Sequence, residues 1–374
     1  MYSIDNTFYC PALRGKAGEF IACSELHDQN KDRLLPYFVL PSYTAKENKD
    51  LSGDQVIADQ VGKIWDHWKS RPCLLDLRFL RFDADAGSDA ARVNQLLTHA
   101  RSVGCRVIPV IGLATDYYRT AAASAHAHNA KSGACLRVTL TDLSHPQRQQ
   151  MIATQLSDLG IPANECLVAL DLGEADLSLI EDFAKSLIEW LVELRGFGTW
   201  RRIIVLATNY PRGKNPAPAD GMAAIPRSEW AIWQRVQQMD QSIRSFAMFG
   251  DYGADNARID FSAGGKAITH LRYATPMEWL IVRGSEDRNT IRSIVRKIAA
   301  SANFSGESFS AGDEFIGSRA RGLAGVGNPM IWRWVNMNHH MTLVTAELAA
   351  LYGAPIAEPA GRRHPVQEEL FVKM

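Results

Sequence analysis

Charged and polar side chains stand at the ends of short apolar runs along this chain. Asp76 and Arg78 close one run, Asp171 and Glu174 close another, and Asp251 closes a third. Carboxylate oxygens suit hard divalent cations, and a pair of carboxyl groups can act as general acid and general base. Acidic residues in such positions also cap helices or pair with arginine, as Arg78 could do with Asp76 or Asp171. Catalysis or metal binding and structural pairing are therefore both open interpretations of these acids.

The elements that carry these residues alternate regularly between apolar runs and amphipathic stretches. Continuous apolar runs are typical of strands buried on both faces, and their alternation with helices indicates βαβ units. Eight such units predict an α/β protein with a (β/α)8 TIM-like barrel, whose strands end at one common rim. We therefore expect Asp76, Asp171, Asn209 and Asp251 at the same end of a parallel barrel. The predicted strands are residues 33–40, 72–79, 105–113, 135–140, 166–172, 202–208, 245–252 and 279–283.

The same alternation predicts a single domain with additions at both ends. Residues 1–30 form an N-terminal motif and helix, residues 31–303 form the barrel, and residues 304–374 form a C-terminal motif and tail. A chain of 374 residues is ordinary for an eightfold barrel with insertions.

Composition excludes several classes of protein. The 41 basic and 41 acidic residues cancel, which argues against a mainly electrostatic nucleic-acid binder. No apolar run approaches the roughly 20 residues of a membrane helix, and the first residues do not resemble a signal peptide. The six cysteines are scattered without CxxC spacing, which favours a reduced, cytoplasmic protein without a zinc ribbon.

No nucleotide-binding or hydrolase motif of known geometry occurs in the chain. There is no P-loop, no G-x-S-x-G and no H-E-x-x-H, so the sequence names no cofactor. A divalent metal held by the rim acids is the one cofactor that the residues suggest. His339 and His340 are adjacent and cannot easily share one metal from a regular element, but either ring could face a pocket.

Two segments near the chain ends resemble signatures of one protein family. Residues 8–21 (FYCPALRGKAGEFI) resemble the pattern Y-x-P-x-L-R/K-x-K-x-G-E of beta family proteins from phages and bacterial mobile elements, with Cys10 as a departure. Residues 328–340 (NPMIWRWVNMNHH), together with residues 309–313 (FSAGD), resemble the C-terminal signature of the same family. The pair at residues 272–273 (RY) also fits the family pattern, and the resemblance spans nearly the whole chain.

The resemblance implies a context rather than a reaction. Some beta family members occur in small antiviral defence cassettes, where they restrain a toxic partner encoded beside them. It therefore implies a protein partner from the same operon.

The signature residues also have a direct chemical interpretation. Arg333, Asn338 and the adjacent histidines group polar donors among tryptophans, which is typical of a small-ligand pocket. We expect them to converge with Lys16 and Glu19 of the N-terminal motif at one shared site. The alternative is a C-terminal segment that plugs one end of the barrel and satisfies its buried polar groups.

The function that we predict is a beta-family component of a phage- or mobile-element-encoded defence module, acting through a protein partner. The alternatives are a metal-assisted hydrolase or phosphodiesterase that uses the rim acids, and a sensor of a nucleotide-like ligand. The candidate catalytic residues are Asp76, Asp171, Glu174, Asp251 and His339, and the candidate ligand-binding residues are Lys16, Glu19, Arg78, Asn209, Arg333, Asn338 and His340.

Overall fold

The structure is a computed structural model that describes most of the chain. The described residues are 1–82, 85–212, 216–259, 261, 270–284, 291–323 and 327–354. Residues 355–374, which include the predicted C-terminal tail, lie outside the described residues. Within the described residues, every helix is too short or too polar to serve as a membrane span.

Eight parallel strands close into a barrel, which confirms the predicted fold class. Each strand hydrogen-bonds to the next barrel strand along the chain, and the last strand returns to pair with the first through Pro11 and Asp251. Side chains on the inner faces form one apolar cluster, and side chains on the outer faces form another beneath the helices. The barrel strands are β1 Tyr9–Leu13, β2 Tyr37–Val39, β3 Pro72–Asp76, β4 Arg106–Gly112, β5 Ala134–Thr139, β6 Cys166–Asp171, β7 Arg202–Leu206 and β9 Ala247–Asp251.

One predicted barrel strand was wrong, and another was missed. The run at residues 279–283 lies in β11 (Glu278–Arg283), which pairs antiparallel with β8 (Met222–Pro226) and β10 (His270–Ala274). The first barrel strand is β1, so the barrel begins before residue 31. Residues 279–283 were assigned to the barrel because an apolar run fits any strand that is covered on both faces. The strand β1 was missed because Pro11 lacks a backbone donor and is unusual inside a strand.

Helices surround the barrel, and a further group packs against β10 and β11. The helices of the barrel layer are α1 Ala17–Ser24, α2 Asp28–Lys31, α3 Gly53–Trp68, α4 Ala86–Ser102, α5 Tyr117–Ala130, α6 Leu140–Ser144, α7 Arg148–Leu159, α8 Ile180–Phe197 and α9 Ser228–Met239. The later helices are α10 Ile291–Ala299, α11 Ala311–Ala320 and α12 Pro329–Tyr352.

The long helix α12 carries the C-terminal signature. The Asn328 side chain accepts a hydrogen bond from the Ile331 amide at 3.0 Å, and Pro329 occupies the first turn, where its missing amide hydrogen costs nothing. The helix ends at Gly353, whose φ of +65° is the left-handed conformation that glycine tolerates. Most side chains from Val335 to Thr345 are buried, because α12 lies against the barrel, α1, α11 and β10.

Candidate functional site

The mouth of the barrel is the end at which the parallel strands finish. Side chains alternate between the two faces of a strand, so only every second residue points inward. Asp76 and Asp171 point inward, as does Tyr252 beyond the end of β9. Asp251 shares the outer face with Phe249. The rim acids thus lie at one end of the barrel, as predicted, but Asp251 faces the helices and does not join the other two.

Asp76 is held by a tyrosine and an arginine. The Tyr37 hydroxyl donates to Oδ2 at 2.7 Å, and Arg78 Nε lies 3.3 Å from the same oxygen. The Arg78 amide donates to Oδ1 at 2.9 Å. Burial and the adjacent carboxylate raise the pKa of Tyr37, so its hydroxyl remains a donor. Both oxygens of Asp76 are therefore engaged as acceptors.

Asp171 is held in the same way by a second set of donors. Arg137 Nε donates to Oδ2 at 2.6 Å, and Arg78 Nη1 lies 3.7 Å from that oxygen. The Tyr252 hydroxyl and the Gly173 amide donate to Oδ1. Burial favours a higher pKa for Asp171, but Arg137, Tyr252 and Arg78 together lower the pKa below its usual value. Asp171 is consequently an ionised acceptor that binds the Arg137 guanidinium directly and lies within ion-pair distance of Arg78.

These contacts bear directly on the catalytic and metal-binding interpretations of the rim acids. A general base or a metal ligand needs an oxygen lone pair directed at the substrate or the cation. The oxygens of Asp76 and Asp171 already accept from tyrosine, arginine and backbone donors. Across the part of the chain that the structure describes, no three His, Cys, Asp or Glu side chains are grouped as metal ligands.

A pocket of about 360 Å³ opens at the carboxyl ends of β3, β4 and β5. Its size falls within the range of small-molecule sites. The half-buried side chains of Arg78 and Arg137, exposed by 26% and 24%, line it beside Thr115 and Thr139. Arg119 also lines the pocket, but its guanidinium is bound to Asp89 and two backbone carbonyls. The carboxylates of Asp76 and Asp142 also line the pocket, but Asp76 already accepts from Tyr37 and Arg78, and Asp142 accepts from Thr139. The guanidinium groups of Arg78 and Arg137 are therefore the donors that could meet an anionic ligand.

Two aromatic rings connect this cluster to the N-terminal motif. Arg78 lies over the Phe79 ring at 5.1 Å, and Phe79 meets Phe261 edge to face at 5.4 Å. Lys16 Nζ lies 5.9 Å from the centre of the Phe261 ring. Lys16 is therefore linked to the mouth through Phe261 and Phe79, and its contact there is with the face of an aromatic ring.

Two other predicted site residues lie outside the mouth cluster. Glu174 is exposed and pairs with Arg212 at 3.1 Å. The Asn209 amide donates to the buried carboxylate of Glu229 at 2.9 Å, and its side chain donates to the Pro226 carbonyl. Asn209 therefore joins β7 to the start of α9 and donates to no pocket-lining group.

The chain ends meet at a cluster of arginines and acids. Arg333 on α12 donates to Glu19 on α1 at 2.9 Å and to Asp255 at 3.1 Å. Arg14 and Arg272 also bind Asp255, at 3.2 and 2.9 Å. Burial favours a higher pKa for Asp255, but the three arginines lower the pKa well below its usual value. Asp255 therefore ties together four separate parts of the chain.

The two histidines bind different carboxylates. His339 Nδ1 lies 2.8 Å from Asp313, and its Nε2 lies 2.8 Å from the Ala274 carbonyl. The His339 ring stacks on Tyr273 at 3.9 Å, and the Tyr273 hydroxyl donates to Asp313 at 2.7 Å. These groups are enclosed between β10, α11 and α12.

His340 faces the barrel from the outside. Its Nε2 lies 2.7 Å from Asp251, which also accepts from the Tyr9 hydroxyl at 2.7 Å. Burial lowers the pKa of His340, although Asp251 opposes that effect. The ring stacks on Trp279 at 4.6 Å. Asp251 and His340 thus join β1, β9 and α12 in a buried hydrogen-bond network.

Asn338 and two glycines complete the α12 contacts. Asn338 accepts from the Gly312 amide at 2.9 Å and donates to the Ala22 carbonyl at 3.1 Å. A Cβ atom on Gly18 would lie 2.5 Å from the Met330 carbonyl oxygen, and one on Gly312 would lie 2.6 Å from the Val335 oxygen. The glycines of both signatures therefore permit α1 and α11 to approach α12.

Sequence reasoning missed several members of these clusters. Arg137, Tyr37 and Tyr252 hold the mouth acids, and Asp255 and Asp313 hold the α12 residues. Arg137 sits inside a predicted strand, where a charged side chain was an available signal. Tyr252 ends a predicted strand and Asp313 lies in the FSAGD signature, but Tyr37 and Asp255 look like ordinary strand or loop residues. The partners of all four are remote in sequence.

Comparison with known proteins identifies a family but no relative of known activity. A family model described as Beta protein matches residues 9–346. No curated protein gives a significant match.

Solved structures give only distant similarity. The carboxyl transferase domain of Rhizobium etli pyruvate carboxylase with 3-hydroxypyruvate has 10% identity and a TM-score of 0.39, over 94% of this chain and 55% of that chain. The YdjI aldolase of Escherichia coli has 8% identity and a TM-score of 0.37, over 94% of this chain and 93% of that chain. This chain spans about half the length of the carboxyl transferase chains that it matches. At these identities and TM-scores, no activity of the matched proteins can be assigned to this chain.

Proposed function

We propose that this chain, which belongs to the Beta protein family, binds a small nucleotide-like anion at the mouth of its barrel. The observation that carries the proposal is the pair of half-buried guanidiniums, Arg78 and Arg137, that line the 360 Å³ pocket. Asp171 binds Arg137, and Arg78 lies within ion-pair distance of both Asp76 and Asp171, so carboxylates hold both positive groups at the pocket before a ligand arrives. Arginine forks suit phosphate and carboxylate oxygens.

The hydrolase alternative has weaker support from the same residues. Asp76 and Asp171 accept hydrogen bonds from Tyr37, Tyr252, Arg78 and Arg137, and their role in that arrangement is to orient the arginines. Binding without turnover requires no change in the contacts that hold Arg78 and Arg137. Hydrolysis would require the two carboxylates to exchange these partners for a metal or a water.

A protein partner is a second proposal, with its own observation. Tyr117 and Tyr118 begin α5 beside the pocket and are exposed by 68% and 55%, with their rings edge to face at 5.8 Å. Exposed tyrosines are typical anchors of protein interfaces. We propose that a partner encoded in the same operon, as in a defence module, docks over this pair.

The proposed compartment is the cytoplasm. Its support is that all six cysteines are free and buried, as in reduced proteins.

Co-purification of the double variant Tyr117→Ser, Tyr118→Ser from the native operon tests the proposed protein partner. Loss of a protein that the parent retains supports it, and unchanged retention contradicts it.

Ligand binding is tested by thermal unfolding with a panel of nucleotides and nucleoside phosphates at constant ionic strength. A ligand of the native state raises the melting temperature with its concentration. We expect at least one compound to stabilise the parent, and Arg78→Gln to weaken that binding by roughly tenfold. Arg212→Gln is the matched control, because Arg212 pairs with the exposed Glu174 at the same barrel end.

The result that contradicts the proposal is equal stabilisation of the parent and Arg78→Gln, or no stabilisation by any compound. Analysis of the panel for breakdown products separates binding from hydrolysis. Turnover that requires Asp76 or Asp171 would favour the hydrolase instead.

A further inference from the structure

The opposite end of the barrel holds a second pocket, of about 250 Å³. It lies where β7 and β9 begin, beside the segment that precedes β1 and the last turn of α12. Arg33, Arg202 and Arg244 line it together with Asp5, Phe8 and Tyr352. Phe8 begins the N-terminal signature segment, but none of these side chains lines the mouth or contacts Lys16, Glu19, Arg333, Asn338, His339 or His340.

The three arginines of this pocket are not neutralised in the way that the mouth arginines are. Arg202 donates to the carbonyls of Arg244 and Ser245 at 3.2 and 3.3 Å, and Arg33 donates to the Asn6 carbonyl at 3.4 Å. Carbonyls carry no charge. In the described parts of the chain, no carboxylate lies within the 4.0 Å ion-pair distance of any of the three guanidiniums. At the mouth, Arg78 and Arg137 each meet a carboxylate.

The groups around this pocket interact with one another. Burial lowers the pKa of Arg202, while the negative charge of Asp5 opposes that effect. Burial raises the pKa of Tyr352 to about 12, while the hydrogen bond from Trp233 and the charges of Arg202 and Arg244 oppose that rise. The Tyr352 hydroxyl accepts from Trp233 Nε1 at 3.0 Å, which leaves its own hydrogen for another acceptor.

We propose that this pocket is a binding site for a small dianion of the phosphate class. Three guanidiniums and the single carboxylate of Asp5 leave two positive charges, which a phosphate monoester or inorganic phosphate would match. Arg33 lies over the Phe8 ring at 5.6 Å, which holds its fork at the edge of the pocket. The Tyr352 hydroxyl supplies a further donor. This inference is independent of the ligand proposed for the mouth.

Calorimetric titration of the full chain with inorganic phosphate, at constant ionic strength in chloride, tests the site. We expect Arg244→Gln to weaken phosphate binding by roughly tenfold, because it removes one charge-assisted donor. Arg106→Gln is the matched control, since Arg106 is exposed at the start of β4 on the same barrel end. Its affinity should equal that of the parent.

Asp5→Asn should change the phosphate affinity in the opposite direction. A gain in affinity cannot be explained by a variant that fails to fold. Asp5 is exposed, and asparagine keeps an oxygen that can accept from Ser3 at the present 2.9 Å. Removing the negative charge should tighten phosphate binding by roughly threefold. Unchanged affinity in both Arg244→Gln and Asp5→Asn, or an equal loss in Arg106→Gln, would overturn the proposal.

Discussion

The barrel mouth and the α12 region contain the same kinds of interaction but differ in solvent exposure. In both, tyrosine, arginine or histidine donors hold a buried carboxylate. At the mouth the arginines that Asp171 binds remain about a quarter exposed and line a pocket. In the α12 region Asn338, His339 and His340 are fully enclosed. The most recognisable motif of the sequence therefore belongs to the enclosed network, and the donors that we propose to bind a ligand lie at the mouth.

The comparison predicts its largest effect at Asp313. Asp313→Ala leaves His339, Tyr273 and Ser310 without their common acceptor. We expect the free energy of unfolding to fall by roughly 3–5 kcal/mol, because buried donors lose their acceptor at about 1–3 kcal/mol each. Urea denaturation measures it, with the neighbouring Glu314→Ala as the control. A loss below about 1 kcal/mol would show that the enclosed network does not hold the fold.

A pH effect sharpens the contrast between the two regions. Arginines and Tyr252 lower the pKa of Asp171 at the mouth, whereas burial raises the pKa of Glu229, which starts α9 near Asp251, to about 7. Arg227 opposes that rise only in part. Because the folded state holds the Glu229 proton more tightly than the unfolded chain, stability is greatest below the unfolded pKa of 4.5 and is lost as pH rises through about 7.

The measurement is the free energy of unfolding of the parent and of Glu229→Gln at about pH 5 and pH 8. Glutamine keeps an oxygen for the Asn209 amide and cannot ionise. The parent should lose roughly 2–3 kcal/mol more than the variant over this interval. Parallel pH profiles would mean that Glu229 titrates as an ordinary carboxyl group.

Close helix packing gives a smaller effect with a control of opposite sign. Gly18→Ala would place a Cβ 2.5 Å from the Met330 oxygen, so we expect a loss of about 1–3 kcal/mol in the free energy of unfolding. Gly62 on α3 has nothing within 4 Å of its Cβ position, and Gly62→Ala should stabilise by about 0.5–1 kcal/mol. If both changes stabilise, α1 does not pack tightly on α12.

Double-mutant cycles give the smallest effect and locate the junction of the chain ends. Glu19→Gln and Arg333→Gln should couple by about 1–2 kcal/mol, because the two side chains meet at 2.9 Å. The changes Lys16→Ala and His339→Ala should be additive within about 0.5 kcal/mol, because Lys16 contacts Phe261 and His339 contacts Asp313. Coupling of the second pair would restore a single shared site.

The sequence predicted the barrel and its rim, because apolar runs and strand ends are local signals. It grouped Asp251 with Asp76 and Asp171, although the strand period turns Asp251 outward and Tyr252 inward. Glu19 and Arg333 were expected to converge because both lie in family signatures. Their separation of 314 residues means that no local sequence pattern could predict the contact itself. Asp255 carried no signal at all, since its three arginines come from distant segments.

The most direct test of the account is the position of the bound ligand in a crystal of the complex with the compound that stabilises the protein most. Binding at the mouth predicts an anionic group of the ligand within hydrogen-bond distance of Arg78 and Arg137, with Asp171 still bound to Arg137. It also predicts no ligand atom against Asn338, His339 or His340. A ligand seated against α12, or one that contacts neither arginine, would contradict the assignment of binding to the mouth and of fold stability to α12.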